Sequence, residues 1–292
     1  MSGTVSHFVR LARPYQWVKN GFVLAGWLFG HGWHDPGLTV QAGLAFVAFC
    51  LVSSAVYALN DVFDRAADRR HPTKRDRPLA SGAVRPATAI GFALVLAAAG
   101  LGLAAYVSPA AAAIAGGYVV LNFAYSLGLK HVPILDVFLI AAGFMLRLLA
   151  GTVGIGIAPS HWLLVCGLMV TVFLGFTKRR AELIALEGAA SGDHRPVLEQ
   201  YTPELLDKMI SISAAGVITA YALYTVDAAT VRLHGTDQLL WTLPFVLYGV
   251  FRYIFLLHRR GGGGDPARDL LRDPHLAGAA AGWLAATAWL LI

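Results

Sequence analysis

Long apolar runs alternate along this chain with short, dense clusters of charge. Nine stretches approach the roughly 20 residues that an α-helix needs to cross a bilayer. They are 21–33, 38–60, 88–107, 110–129, 134–156, 161–177, 209–227, 238–257 and 275–292, the first and last being short. Tight connections at 34–37, 107–110 and 157–160 carry Pro or Gly, as turns between helices do. No Gly/Ser linker and no internal repeat divides the chain. Ala and Gly are spread through the spans, which suits closely packed transmembrane helices. The pattern predicts an all-α, polytopic membrane protein of about nine helices, with residues 1–292 forming a single domain.

Composition sharpens that expectation. Of the 292 residues 57% are apolar and 14% charged, against about 45–50% and about 25% in soluble domains. A soluble globular enzyme, a disordered chain and a disulfide scaffold are thereby excluded. Cys50 and Cys166 lie inside apolar runs without pairing or metal spacing and read as small core residues. Met1–Asn20 is mixed and basic and leads into no small-residue cleavage site, so the first span is expected to be retained.

The placement of charge says more than the net +6. With the nine spans in place, 20 of the 23 Lys and Arg residues fall on one side and only Arg232 on the other. Arg147 and Arg252 lie within spans. The positive-inside rule makes the basic side cytoplasmic and leaves the C-terminus outside, in the plasma (inner) membrane. Topology thus accounts for the basic loops, and no nucleic-acid partner is called for.

The 61–87 loop holds the candidate chemistry. Asp61, Asp64 and Asp68 are spaced i, i+3, i+7, which places three carboxylates within a roughly 60° helical arc. Asn60 lies at the edge of that stripe. Such a cluster repels itself unless a cation fills it, and oxygen-only ligands favour a hard ion such as Mg²⁺. Lys74, Arg75 and Arg77 follow, suited to phosphate charge. Asp136 and Arg147, eleven residues apart, share a helical face about 16 Å apart along the axis. Asp136 is expected at the cytoplasmic mouth, and Arg147 either lines a lipid-phosphate or donor pocket or pairs with another helix. Arg252 can reach the interface and needs no function. His71 lies in the motif loop without zinc spacing, and His31 and His34 read as interfacial. Phe8, Val9, Leu11, Tyr15 and Trp17 outline an amphipathic start that rests on the membrane surface.

Asn60-Asp-x-x-Asp64-x-x-x-Asp68, followed by the basic run and Arg77-Pro-Leu-Ala-Ser-Gly82, resembles the first aspartate-rich motif of the UbiA superfamily of intramembrane prenyltransferases. Three further segments are similar to the decaprenyl-phosphate phosphoribosyltransferase branch. They are Arg13-Pro-Tyr-Gln-Trp-Val-Lys19-Asn20, Tyr125-Ser-Leu-Gly-Leu-Lys130 running on through Asp136 to Arg147, and Lys178-Arg179-Arg180-Ala-Glu182. The resemblance implies a UbiA-like bundle and transfer of phosphoribose from phosphoribosyl pyrophosphate to a polyprenyl phosphate, with Mg²⁺, for cell-wall arabinan precursors. It implies Asp61, Asp64 and Asp136 as catalytic residues and Asp61, Asp64 and Asp68 as metal ligands. Lys19, Asn60, Lys74, Arg75, Arg77, Tyr125, Lys130, Arg147, Lys178, Arg179 and Arg180 become the substrate-contact candidates. Many prenyl-diphosphate-using members carry a second Asp-x-x-x-Asp motif after span six. Lys178, Arg179, Arg180 and Glu182 stand there in this chain, a basic wall suited to a highly phosphorylated donor. A prenyl-diphosphate donor, or a transporter of a phosphorylated solute or divalent cation, stays open as an alternative. A transporter, however, is expected to distribute ionisable groups along a route through the membrane, and here they gather at one face.

Overall fold

The computed structural model describes residues 2–70, 74–187, 196–259, 264 and 266–291. Helices are the only regular structure among the described residues. In chain order they are α1 (Ser2–Ala12), α2 (Phe22–Phe29), α3 (Pro36–Phe63), α4 (Arg65–Arg70), α5 (Pro86–Val107), α6 (Pro109–Leu127) and α7 (Leu135–Ala150). They continue as α8 (His161–Glu187), α9 (Pro203–Val226), α10 (Ala228–His234), α11 (Leu243–Arg259), α12 (Pro266–Arg272) and α13 (Pro274–Leu291). The all-α expectation holds.

Proline at the first helical position, set behind a capping residue, starts several of these helices. Asp35 caps α3 by accepting from the Gly37 and Leu38 N–H groups. Ser108 caps α6 through the Ala111 N–H, and Thr202 caps α9 through the Leu205 N–H. Asp273 accepts from Leu276 N–H at the head of α13.

Seven helical segments among the described residues are long and apolar enough to cross a membrane. They are Pro36–Phe63, Pro86–Val107, Pro109–Leu127, Leu135–Ile155, His161–Ala185, Pro203–Val226 and Gln238–Arg259. Each coincides with one of the stretches read from the sequence, and the protein is a multi-pass membrane protein. The first stretch, 21–33, forms the eight residues of α2, which follow a 3₁₀ run at Pro14–Gly21. Those eight α-helical residues rise only about 12 Å. The last stretch forms α13, of 18 residues. Among the described residues seven of the nine predicted stretches therefore qualify by length and apolarity.

The chain forms two compact units, one comprising 1–132 and 142–159, the other 133–141 and 160–292. In unit 1, α3 is the central element. Its 28 residues rise about 42 Å against a hydrocarbon core of about 30 Å, so its last turns carry Asn60 and Asp61 to the membrane surface. Ala45, Ala48, Phe49, Val52 and Val56 of α3 pack with Ala104, Ala115 and Tyr118. Small residues let backbones approach closely here. A Cβ added to Gly100 would lie 2.9 Å from the Ala48 carbonyl oxygen, and one on Gly151 would lie 1.5 Å from that of Val23.

In unit 2, α8, α9 and α11 enclose a second core of Val137, Val172, Phe173, Phe176, Leu206, Ile210, Tyr253 and Leu257. Both α8 and α9 run beyond their apolar windows into charged sequence. Lys, Arg and Glu are good helix formers, and once past the bilayer they meet water.

Candidate active site

The aspartate stripe is built by a near-continuous helix with one break. Asp61 lies in the last turn of α3, Asp64 caps that helix with non-helical dihedrals, and α4 resumes at Arg65. The Asp64 N–H still reaches the Asn60 carbonyl and the Asp68 N–H the Asp64 carbonyl, both at 2.8 Å. Asp61 and Asp68 are buried, whereas the Asp64 side chain is 44% exposed.

Each carboxylate meets a cation of the same unit. Asp61 Oδ1 accepts from Arg13 and, at 3.1 Å, from Arg77. The same Arg77 Nη1 reaches Asp68 Oδ2 at 2.7 Å. Lys130 Nζ lies 3.2 Å from Asp64 Oδ1. Asn60 Oδ1 accepts from Ser126 at 2.8 Å, tying the end of α3 to α6. Among the described residues no three His, Cys, Asp or Glu side chains converge as a ready-made metal set. The charge the sequence expects a metal to balance is balanced here by Arg13, Arg77 and Lys130. The donor chemistry nevertheless fits Mg²⁺, since every donor is a hard oxygen and Asp64 opens to solvent.

The basic loop is pinned by its backbone. Carbonyls of Asp76, Leu79 and Ala80 accept from Arg10, Arg65 and Arg69 respectively. Arg75 is exposed and Lys74 half-buried, and Lys19 is exposed while Tyr125 is half-buried. His71 lies outside the described residues.

Arg13 is the residue that sequence reasoning missed as a contact of the stripe. It lies 48 positions from Asp61 and opens one of the segments that carry the family resemblance, yet is not among the substrate-contact candidates. Its backbone is left-handed, with φ 52° and ψ 57°, although it is neither Gly nor free of the restriction that a following Pro imposes. That conformation costs on the order of 1–2 kcal/mol. It turns the chain between α1 and the 3₁₀ run and presents the guanidinium to Asp61, with the Tyr57 ring 5.5 Å away.

Deeper in unit 1, Arg147 is buried and makes no ion pair among the described residues. Its Nε donates to Asn20 Oδ1 at 2.7 Å, Nη1 to the Gly143 carbonyl at 2.9 Å and Nη2 to the Tyr118 hydroxyl at 2.8 Å. The Tyr118 and Phe144 rings lie 4.6 and 5.2 Å from its charge centre. Asn20 in turn donates to Ser53 and Cys50. The contacts thus join α7 to α6 and the 3₁₀ run directly and, through Asn20, to α3.

Unit 2 holds a different cluster. Asp136 is fully buried, with Arg179 Nε at 2.6 Å from Oδ2 and the Tyr201 hydroxyl at 2.9 Å from Oδ1. The Tyr201 hydroxyl also accepts from the Ile134 N–H, and Arg179 also pairs with Glu182. Burial, reinforced by the bond to Asp136, pushes the Tyr201 phenol up to about 12. Lys178 lies 4.0 Å from Glu182, and Arg180 pairs with Asp207. The basic wall read from the sequence is therefore a network already holding Asp136, Glu182 and Asp207. Arg252, read as needing no function, grips Asp273 through Nε and Nη2 at 3.0 and 2.7 Å. Asp136 and Arg147, on one face of α7, serve different clusters.

An all-helical intramembrane bundle, with an aspartate-rich helix end met by arginines and lysine, defines the class of protein. The model of the UbiA prenyltransferase family matches residues 21–269, and the chain belongs to that family. It is 36% identical over 284 residues to a decaprenyl-phosphate phosphoribosyltransferase of Corynebacterium glutamicum, covering 94% of this chain and 84% of that one. The Mycobacterium tuberculosis protein of the same name is 35% identical over 287 residues, covering 96% and 93%. Among solved structures, a UbiA homolog from Archaeoglobus fulgidus bound to GPP and Mg²⁺ superposes with a TM-score of 0.72. It is 18% identical, covers 98% of this chain and 99% of its own, and shares the fold.

Proposed function

We propose that this chain transfers the 5-phosphoribosyl group of phosphoribosyl pyrophosphate to a polyprenyl phosphate, decaprenyl phosphate foremost, releasing pyrophosphate. One observation carries the reading: three aspartates at a helix end are balanced by three partly exposed cations that phosphate oxygens can also engage. Identity of 35–36% to relatives named decaprenyl-phosphate phosphoribosyltransferase, over more than nine-tenths of the chain, supports it. The match across 21–269 supports one transferase domain over the whole chain.

In this reaction the C1–O bond to pyrophosphate breaks and a C1–O bond to a lipid phosphate oxygen forms. The acceptor is already an anion, so no general base has to take a proton. Asp61, Asp64 and Asp68, with Asn60, would hold Mg²⁺, which when bound supplies Lewis-acid stabilisation of the departing diphosphate. Lys74, Arg75, Arg77 and Lys130 supply positive charge for the donor phosphates, with Lys19 and Tyr125 flanking them. In unit 2, Asp136 as a catalytic candidate and Lys178, Arg179 and Arg180 as phosphate-contact candidates form a network of their own. The lysine and arginine bias supports chemistry on the cytoplasmic face of the plasma membrane, with the C-terminus outside. The product serves cell-wall arabinan synthesis.

The test uses purified protein in detergent with Mg²⁺, phosphoribosyl pyrophosphate and polyprenyl phosphates of several lengths. Mass spectrometry should find the lipid gaining one phosphoribosyl unit, and a chelator should abolish the gain. Asp61→Asn and Asp64→Asn should each lower turnover by about 100-fold or more, with thermal unfolding unchanged. No product from folded protein at any chain length overturns the reading in favour of a prenyl-diphosphate donor, and failure with that donor favours a transporter.

A further inference from the structure

The aspartate stripe carries three negative charges, and Arg13, Arg77 and Lys130 bring three positive ones onto the same oxygens. The set is neutral and closed upon itself. A divalent cation arriving alone must push guanidinium and ammonium groups off carboxylates and leave them beside it unpaired. A diphosphate with at least two negative charges removes that penalty. It restores the balance and offers the displaced donors oxygens that match the guanidinium fork.

The three cations are free to move in a way that Arg179 is not. Their side chains are 16%, 29% and 21% exposed, against 1% for Arg179. Arg13 is the pivotal member. It shares Asp61 Oδ1 with Arg77, and it stands on a strained turn that fixes where its guanidinium begins. Leu11, two residues earlier, is buried beside Val84 and Ala89, so the turn is anchored by the core, whereas the guanidinium is held by Asp61 beside the Tyr57 ring.

We infer that Arg13, with Lys130, is an exchangeable counter-cation that holds the aspartate stripe closed to a lone divalent ion and admits the ion only with a diphosphate. On admission Arg13 gives up Asp61 for a phosphate oxygen, and Lys130 gives up Asp64. Arg13 thereby becomes a specificity-determining residue of the reaction. The inference rests on the transfer reading above only in taking a diphosphate as the companion ligand.

Binding of Mn²⁺, measured by equilibrium dialysis as metal retained with the protein at matched pyrophosphate in both chambers, tests this without turnover. Wild-type protein in detergent should bind Mn²⁺ weakly alone and about tenfold more tightly once pyrophosphate is added. Arg13→Gln should bind Mn²⁺ alone several-fold more tightly than wild type and lose most of the gain from pyrophosphate. Arg13→Lys, which keeps the charge, should restore the wild-type pattern. A purely structural arginine would not give these opposite signs. If Arg13→Gln does not fold, Lys130→Gln at the more exposed Asp64 must show the same two shifts. Lone Mn²⁺ binding as weak in the folded Gln variant as in wild type overturns the inference, as does tight lone binding by wild type. Coupled Mn²⁺ and pyrophosphate binding without phosphoribosyl transfer would sink the transfer reading and leave this one standing.

Discussion

Unit 1 and unit 2 each place an aspartate against an arginine, and they do so to different ends. Around Asp61 the arginines and the lysine are partly open to water, and Arg77 serves two carboxylates at once. Around Asp136 the ion pair is sealed, with Arg179 at 1% and Asp136 at 0% exposure, and a tyrosine fills the second carboxylate oxygen. Water and ligands can compete for a half-exposed pair, so its partners can be exchanged. A sealed pair is shut off from outside ligands, and losing Arg179 leaves the Asp136 charge in a low dielectric with the Tyr201 hydroxyl. The lesson is that motif residues of one charge type divide into movable and fixed groups according to burial, which residue identity does not reveal.

Three variants break or sharpen that contrast, in falling order of effect. In unit 1 the backbones of α2 and the end of α7 approach closely at Gly151. A Cβ there would sit 1.5 Å from the Val23 carbonyl oxygen, which is backbone and has no rotamer to yield. Gly151→Ala should cost more than about 4 kcal/mol, visible as failure to recover monodisperse protein from membranes. A well-behaved Gly151→Ala protein would show that α2 can shift away.

Arg179→Met in unit 2 should cost about 3–5 kcal/mol by stranding Asp136, read as a fall in thermal unfolding temperature in detergent. The double variant Asp136→Asn with Arg179→Met should recover much of it. Equal losses from Arg179→Met and Arg13→Gln would erase the distinction between fixed and exchangeable pairs.

Tyr201→Phe is the mildest, removing two hydrogen bonds at about 1–2 kcal/mol in total. It also carries a pH signature. The folded phenol titrates near 12, above its ordinary value near 10, so the folded state holds its proton more tightly than the unfolded state does. That stability is complete below about pH 10 and is lost as pH rises towards about 12. The Phe variant should lack this alkaline loss, and a scan of unfolding temperature over that range compares the two.

Much of the architecture is legible in the residues. The apolar windows locate seven spans, five of them to within three residues at either end, because crossing a bilayer imposes one length and one polarity on every helix. Caps such as Asp35-Pro36, Ser108-Pro109 and Thr202-Pro203 mark starts because their chemistry is local. The Asn60–Asp68 stripe is likewise a matter of helical spacing. The end of α8 at Glu187 lies well past the predicted 177, because hydropathy marks where the membrane stops and not where the hydrogen-bonded helix does.

What the sequence by itself determined is therefore the membrane class, the helical periodicity and the residues that bear charge, all properties of neighbours within a turn or two. Tertiary structure alone decided which cation meets which carboxylate. Arg13 reaches Asp61 across 48 residues, Lys130 reaches Asp64 across 66, and Arg179 reaches Asp136 across 43. It also brought Arg147 onto Asn20, the Tyr118 hydroxyl and the Gly143 carbonyl. Coulomb and hydrogen-bond energies depend on distance and burial in space, and neither quantity is written in the order of the chain.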